Sequence, residues 1–193
     1  MSWFETDTTG LATSAVQTHG AIQKAEELAQ FIDIVKTVEP QVIVEIGSYA
    51  GGTLWAWTRL ADTVWAVDLP PTGTYAATGT VQQPHGANMV FGDSHDPLTR
   101  ETLRSALQGR AVDVLFIDGD HTLEGVKADH EMYGPLIRDG GLIGFHDIVP
   151  HPGQPDIEVH RYWADIRTPD AIEIIAPTDP PWGGIGVLHA TGP

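Results

Sequence analysis

Short runs of β-branched and apolar residues, closed by glycine or aspartate, alternate along this chain with amphipathic helical segments. This alternation restricts the fold more than any other feature. Val42 to Ile46 runs into Gly47, and Thr63 to Asp68, Met89 to Phe91, Val112 to Asp118 and Leu142 to Phe145 read the same way. Continuous apolar runs of this length suit strands buried on both faces of a sheet. Between them, 22–38 carries Leu28, Phe31, Ile32, Val35 and Val38 at helical spacing until Pro40 stops the pattern. Segments 51–61, 98–108 and 122–138 also predict helices, the last with Leu123, Val126, Tyr133, Leu136 and Ile137 on its inward face. Strands alternating with helices make a mainly parallel sheet with right-handed crossovers, so the predicted class is α/β. A helix at 158–167 follows, and then Ile172 to Ile175 and Gly186 to His189 predict an antiparallel hairpin on the sheet edge.

A chain of 193 residues suits one domain with a sizeable core. The expected division is an N-terminal arm or lid at 1–21 and a single domain at 22–193. Ten Lys and Arg against 26 Asp and Glu leave a formal charge of −16, which repels phosphate backbones and anionic lipid surfaces and welcomes a cationic small ligand. Neither nucleic acid nor membrane is an expected partner. Without cysteine the chain has no thiolate zinc site, iron–sulfur cluster or cysteine nucleophile. Met1 to Gly10 lacks the basic and apolar runs of a secretion signal, and no apolar run approaches the roughly 20 residues that span a bilayer, so cytoplasmic residence is the expectation. Two turn-rich stretches, Leu69 to Gly86 and Val149 to Glu158, fit no element. Each is a lid candidate or a plain surface excursion.

The segment Val42 to Thr53 is the most informative about chemistry. A buried strand delivers Glu45, Gly47 and Ser48, and Gly51 and Gly52 then open a helix, letting backbone approach a ligand closely. The spacing is Gly-x-x-x-Gly-Gly, so the strict dinucleotide fingerprint is missing. Asp68 ends the second strand about 20 residues beyond the loop, where a carboxylate can accept hydrogen bonds from ribose hydroxyls. Gly92-Asp93-Ser94 ends the third strand and could meet an adenine edge. Taken singly, these are a strand-to-helix turn, a strand-terminal aspartate and a generic turn.

Together, the Glu-Ile-Gly-Ser-x-x-Gly-Gly-Thr core, Asp68, Gly92-Asp93-Ser94 and above all Phe116-Ile117-Asp118-Gly119-Asp120-His121-Thr122-x-Glu124-Gly125-Val126 resemble class I S-adenosylmethionine-dependent methyltransferases. The likeness is strongest to the small branch containing macrocin-type sugar O-methyltransferases and cephalosporin-hydroxylase-like proteins. It spans about 20–190, including Gly140 to Asp147 and Gly184 to Val187. The resemblance implies a Rossmann-like, doubly wound, mostly parallel seven-stranded sheet with an antiparallel C-terminal hairpin. It also implies a cofactor held by Glu45, Gly47, Ser48 and Gly51 near the methionine end, Asp68 at the ribose, Asp93 and Ser94 at the adenine, and Asp118. The implied acceptor is a hydroxylated small molecule such as a sugar or natural product, and the implied assembly a homo-oligomer.

Asp118 and the pair His146-Asp147, at the tips of neighbouring strands, match a divalent-cation site in that branch, usually magnesium. His146 stands where many relatives carry a second carboxylate, which opens the site to manganese, iron or zinc. His121 is the candidate general base and His146 the alternative, since a pKa of about 6.5 suits that work. Both His121 and Asp120 could instead merely cap the helix that follows. His19, His85, His95, His151 and His160 lack metal-ligand spacing, and most of the histidines are expected at the solvated surface. Trp55 and Trp57 cannot share one helix face. Tyr162, Trp163 and Trp182 are candidates for an acceptor pocket or for the core. Two other readings stay open: an NAD-dependent oxidoreductase on a related sheet, and a cofactor-binding protein without turnover.

Overall fold

Residues 7–70 and 86–191 are described by a computed structural model. The helices are α1 (Thr8–Gln17), α2 (Ala25–Lys36), α3 (Gly52–Trp57), α4 (Pro97–Ala106), α5 (Leu123–Tyr133) and α6 (Val159–Ile166). The strands are β1 (Val42–Ile46), β2 (Thr63–Asp68), β3 (Ala87–Phe91), β4 (Val112–Ile117), β5 (Ile137–Val149), β6 (Ile172–Ile174) and β7 (Gly183–His189). They form one seven-stranded sheet in the order β3-β2-β1-β4-β5-β7-β6. β1 to β5 run parallel, and β7 pairs antiparallel with both β5 and β6, as the hairpin prediction required.

Both faces of the sheet are covered, which is why the central strands are apolar throughout. On one side Leu11, Phe31, Ile32, Val35 and Trp57 pack over Ile43, Val114, Phe116, Ile185 and Val187. On the other, Leu103, Val126, Tyr133 and Trp163 pack over Val44, Leu115, Ile117 and Phe145. Complete burial of a side chain such as Phe31 or Phe116 contributes roughly 1.5–3 kcal/mol relative to leaving it exposed. Register brings Ile46 level with Val67 and Ile117, Ile117 level with Phe145, and Asp68 level with Phe91. The carboxyl ends of the five parallel strands therefore reach one edge together. The chain leaves β1 towards β2 and β3, then crosses to β4 on the other side of β1. Ligands of open α/β sheets bind at such a reversal.

Several boundaries differ from the sequence expectation. The helix predicted at 122–138 stops at Tyr133, because Pro135 has no amide hydrogen to continue the α-helical ladder; a short 3-10 turn at Gly134–Leu136 follows, and Ile137 opens β5 instead of ending a helix. The predicted 51–61 helix is regular only over Gly52–Trp57. Within the expected arm, α1 is a formed helix, capped by Asp7 on the Gly10 amide at 3.1 Å, and its buried Leu11, Ala12 and Ala15 join the core. Tyr162 and Trp163 are core residues packed on Phe145 and not pocket walls. Among the described residues, no helix is long and apolar enough to cross a membrane. His85 and the body of the lid candidate after Pro70 lie outside the described residues.

Candidate active site

At the carboxyl edge of the sheet lies a cavity of about 730 Å³, within the range of small-molecule sites. All five parallel strands contribute to its wall, through Gly47, Asp68, Asp93, Asp118 and the pair His146-Asp147. Residues drawn from positions 47 to 147 thus meet in one place, as the binding pattern demands.

The glycine loop is built differently from its sequence reading. Gly47 has φ +80, and a Cβ there would sit 2.2 Å from the Asp118 carbonyl oxygen, so only glycine allows the tips of β1 and β4 to close together. Gly51 caps α3 in the left-handed region, and a Cβ on Gly52 would sit 2.1 Å from the Ala21 amide nitrogen. Both serve protein packing, and neither lines the cavity. Glu45 and Ser48 are also turned away from it. Glu45 is 1% exposed; it accepts hydrogen bonds from the Thr53 hydroxyl and, at 2.9 Å, from Trp57 Nε1. Burial pushes its carboxyl well above the ordinary range, opposed by the Thr53 bond and aided by the nearby Asp118 carboxylate. A residue expected at the methionine end is therefore an internal brace between β1 and α3.

Asp68 lines the cavity and is at the same time the clamp of that loop. Its Oδ2 accepts from the Ser48 amide (2.9 Å), the Ser48 hydroxyl (2.7 Å) and the Tyr49 amide (3.0 Å), while Oδ1 accepts from the Leu69 amide (2.7 Å). Oδ1 retains acceptor capacity for a ligand hydroxyl. At the neighbouring end of the cavity, Asp93 Oδ1 accepts from the His95 amide at 2.9 Å, and the Ser94 carbonyl accepts from the Tyr133 hydroxyl at 2.8 Å. His95 Nε2 lies 3.3 Å from Asp129, whose wholly buried carboxyl is raised chiefly by that burial.

Four ionisable groups converge at the β4 and β5 tips. Adjacent residues of a regular strand face opposite ways. Asp147, however, has φ +63, and pairing with β7 shifts register between His146 and Val149. That kink turns the side chains of both His146 and Asp147 onto the cavity. Asp118 Oδ1 lies 3.1 Å from His146 Nδ1 and 3.3 Å from His121 Nε2, and Gln23 Nε2 donates to Oδ2 at 2.5 Å. Asp147 Oδ2 is 3.5 Å from His146 Nδ1 and 3.8 Å from His121 Nε2. Burial alone would raise the Asp118 carboxyl, but the His146 imidazole and the hydrogen bonds from His121 and His146 hold it down at about 2. The Asp118 bond raises His121, with burial opposing; His146 is raised well above its usual value because the two carboxylates outweigh its burial.

Donor atoms of Asp118, His121 and Asp147 lie within 4.8 Å of one another, a spacing that fits one divalent cation. The imidazole of this convergent set is thus His121, expected as the base, while His146 sits behind it with a 5% exposed side chain, bridging the two carboxylates.

Gln23, Ile22 and Tyr49 belong to the site without any signal in the sequence, since each is an ordinary loop residue until the chain folds. His151 and His95, expected in solvent, line the cavity, with His151 against Trp182 at 5.3 Å between rings. His19 stacks on Trp55 at 4.0 Å, which leaves Trp57 as the tryptophan of α3 that packs on the sheet.

Two curated relatives are each 27% identical to this chain: y4gI of Sinorhizobium fredii over 145 residues, and R132 of Acanthamoeba polyphaga mimivirus over 134, both described as uncharacterized. The matches cover 69% and 64% of this chain but only 16% and 60% of the relatives, so the chain spans less than two thirds of either. Among solved structures, cofactor-bound Rv0187 from MTB has a TM-score of 0.65 at 19% identity, covering 96% of this chain and 88% of that one. MycE of the mycinamycin biosynthetic pathway, bound to Mg and SAH, has a TM-score of 0.62 at 14% identity, covering 97% and 55%. An O-methyltransferase from Bacillus cereus in complex with SAH has a TM-score of 0.60 at 17% identity, covering 96% and 91%. At these identities the likeness is one of fold. The sequence family described as Methyltransferase domain matches residues 44–148, more than half of the chain and every strand tip of the cavity. The chain therefore belongs to the Methyltransferase domain family.

Proposed function

We propose that the protein methylates a hydroxyl of a small sugar- or natural-product-like acceptor from S-adenosylmethionine, assisted by a divalent cation. The observation that carries this reading is one cavity lined from all five parallel strand tips in a chain of the methyltransferase-domain family. Fold relatives solved with SAH, one of them also with Mg, support the choice of cofactors. No finding favours a nicotinamide-dependent reaction.

S-adenosylmethionine supplies a methyl group on a cationic sulfonium, so the reaction needs alignment more than activation of the leaving group. Asp68 would take the ribose through Oδ1, and Asp93 with Ser94 the adenine edge. The acidic wall favours a positively charged ligand. Asp118, His121 and Asp147 would hold a divalent cation, which would polarise the acceptor oxygen as a Lewis acid. Two carboxylates suit Mg or Mn, and the imidazole admits Fe or Zn. His146 positions both carboxylates. A second reading rests on the same imidazole: without a cation, Nε2–H donates to Asp118 Oδ1 at 3.3 Å, His121 Nδ1 accepts the acceptor's proton, and the Asp118 carboxylate stabilises the imidazolium.

A thermal-shift titration with S-adenosylmethionine and SAH, its demethylated product, is the direct test; Tm should climb with ligand concentration over Kd. Absence of any shift at millimolar ligand refutes the proposal. Once an acceptor is methylated, turnover lost in chelator and restored by Mg or Mn assigns the cation role. Turnover that survives chelation but collapses in His121→Ala assigns the base role. The proposal also takes 22–193 as the catalytic domain, with 1–21 an arm docked through α1. Cytoplasmic residence and self-association belong to it as well, and sedimentation checks the latter.

A further inference from the structure

We propose that the acceptor half of the cavity selects uncharged hydroxylated molecules with a flat or apolar body and rejects anionic ones. This rests on the methyl-transfer reading and names the acceptor class.

Four wall residues mark the acceptor half. Ile22 adjoins Gln23, which binds Asp118. Ile157 adjoins Glu158, whose amide donates to the His121 carbonyl at 2.7 Å. Trp182 adjoins Gly183, where a Cβ would lie 3.7 Å from His146 Nε2, and His151 packs against Trp182. Two isoleucines, an indole and an imidazole thus surround the reactive cluster. They offer stacking and apolar contact to an acceptor's body.

The charge pattern excludes anions. Five carboxylates line the cavity, those of Asp68, Asp93, Asp118, Asp120 and Asp147, and no Lys or Arg does. Residues 1–6, 71–85 and 192–193, which lie outside the described part, contain no Lys or Arg either. Lys24 touches the wall at Trp182, and it is already engaged. It donates to the Trp182 carbonyl, pairs with the buried Glu27 at 3.2 Å and lies 4.3 Å from the centre of the Trp182 ring. Its ammonium fixes Trp182 in place. A carboxylate or phosphate carried on the acceptor's body, beyond reach of the His121-His146 cluster and its cation, would shed water against Ile22, Ile157 and Trp182 without gaining a Lys or Arg partner, which is strongly unfavourable.

The test uses matched probes: 4-methylcatechol against 3,4-dihydroxybenzoate, and methyl glucoside against glucuronate. Each is titrated calorimetrically into the full chain with Mg, with and without SAH, and assayed for methylation by mass spectrometry. The uncharged member of each pair should bind at least tenfold more tightly, and kcat/KM should follow the same order. Trp182→Ala should weaken the uncharged probes about tenfold, and Ile157→Arg should cut the discrimination to threefold or less. The proposal is overturned if the anionic members bind as well as their partners, or if no uncharged probe binds. Failure of SAH to bind refutes methyl transfer instead, and the ordering of probes is then still read in the unloaded cavity.

Discussion

Replacing Asp68 with alanine should damage stability as well as cofactor binding, because one carboxylate does both jobs. The substitution removes an acceptor from four donors: the Ser48 amide and hydroxyl, the Tyr49 amide and the Leu69 amide. Tyr49 and Leu69 are 47% and 63% exposed, so water can replace the partner of their amides at little cost. Ser48 is 6% exposed, and its amide would be orphaned at about 1–3 kcal/mol, with the lost charge-assisted hydroxyl bond adding about 1 kcal/mol. The sum is roughly 2–4 kcal/mol, or about 4–16 °C in Tm for a chain of this size. Urea unfolding gives the first figure and calorimetric titration of S-adenosylmethionine the affinity, which should fall by a further 1–3 kcal/mol or so for the lost ribose contact. Ser48→Ala removes the hydroxyl bond alone, so it should cost stability only about 0.5–1.5 kcal/mol and barely touch cofactor affinity. A stability loss below about 0.5 kcal/mol in Asp68→Ala would refute the clamp. Unchanged affinity would remove Asp68 from the ribose site.

Gly47→Ala should destabilise the protein by roughly 3–5 kcal/mol in the same unfolding assay, since the new methyl meets backbone that cannot rotate away; a loss under about 1 kcal/mol would mean that β1 and β4 can part at no cost. Glu45 has a folded-state pKa well above its ordinary 4.5, so its ionisation opposes folding, and stability should decline as pH rises above 4.5 until the raised value is passed. Glu45→Gln should flatten that part of the Tm–pH curve, and an unaltered slope would sink the assignment. Asp118 has the opposite sign: with a folded pKa of about 2 against 3.8, its stabilisation is complete above pH 3.8 and fades as pH falls towards 2. Acid titrations of metal-free wild type and Asp118→Asn should therefore converge at the acid end, and parallel curves would contradict the ion-paired cluster. Asp147→Asn should abolish turnover while leaving the S-adenosylmethionine Kd within about threefold, because Asp147 serves the acceptor side; a cofactor affinity that falls with turnover would place it elsewhere.

Much of the fold was legible because parallel strands buried on both faces advertise themselves. The apolar blocks at 42–46, 63–68 and 112–117 need no tertiary knowledge to be read, and Pro40 and Gly47 punctuate them. α1 was not legible. Its TTGLATSAVQ sequence has few apolar residues, and its buried face is largely alanine, so it is helical because α2 and α3 cover it. The end of α5 was readable in principle from Gly134-Pro135, a signal outweighed by helical periodicity through Ile137.

Local order of residues thus determined which strands exist, that their tips carry Gly47, Asp68, Asp93, Asp118 and His146, and that these tips share an edge, since parallel register leaves no other arrangement. Only the tertiary structure decided which way each side chain faces. Glu45 turned inward because Thr53 and Trp57 offered a buried carboxylate its hydrogen bonds. Asp147 swung beside His146 because a left-handed residue broke the strand's alternation. Ile22, His151 and Trp182 joined the wall from three distant loops, brought there by packing that depends on the whole chain's shape and leaves no trace in the spacing of any one segment.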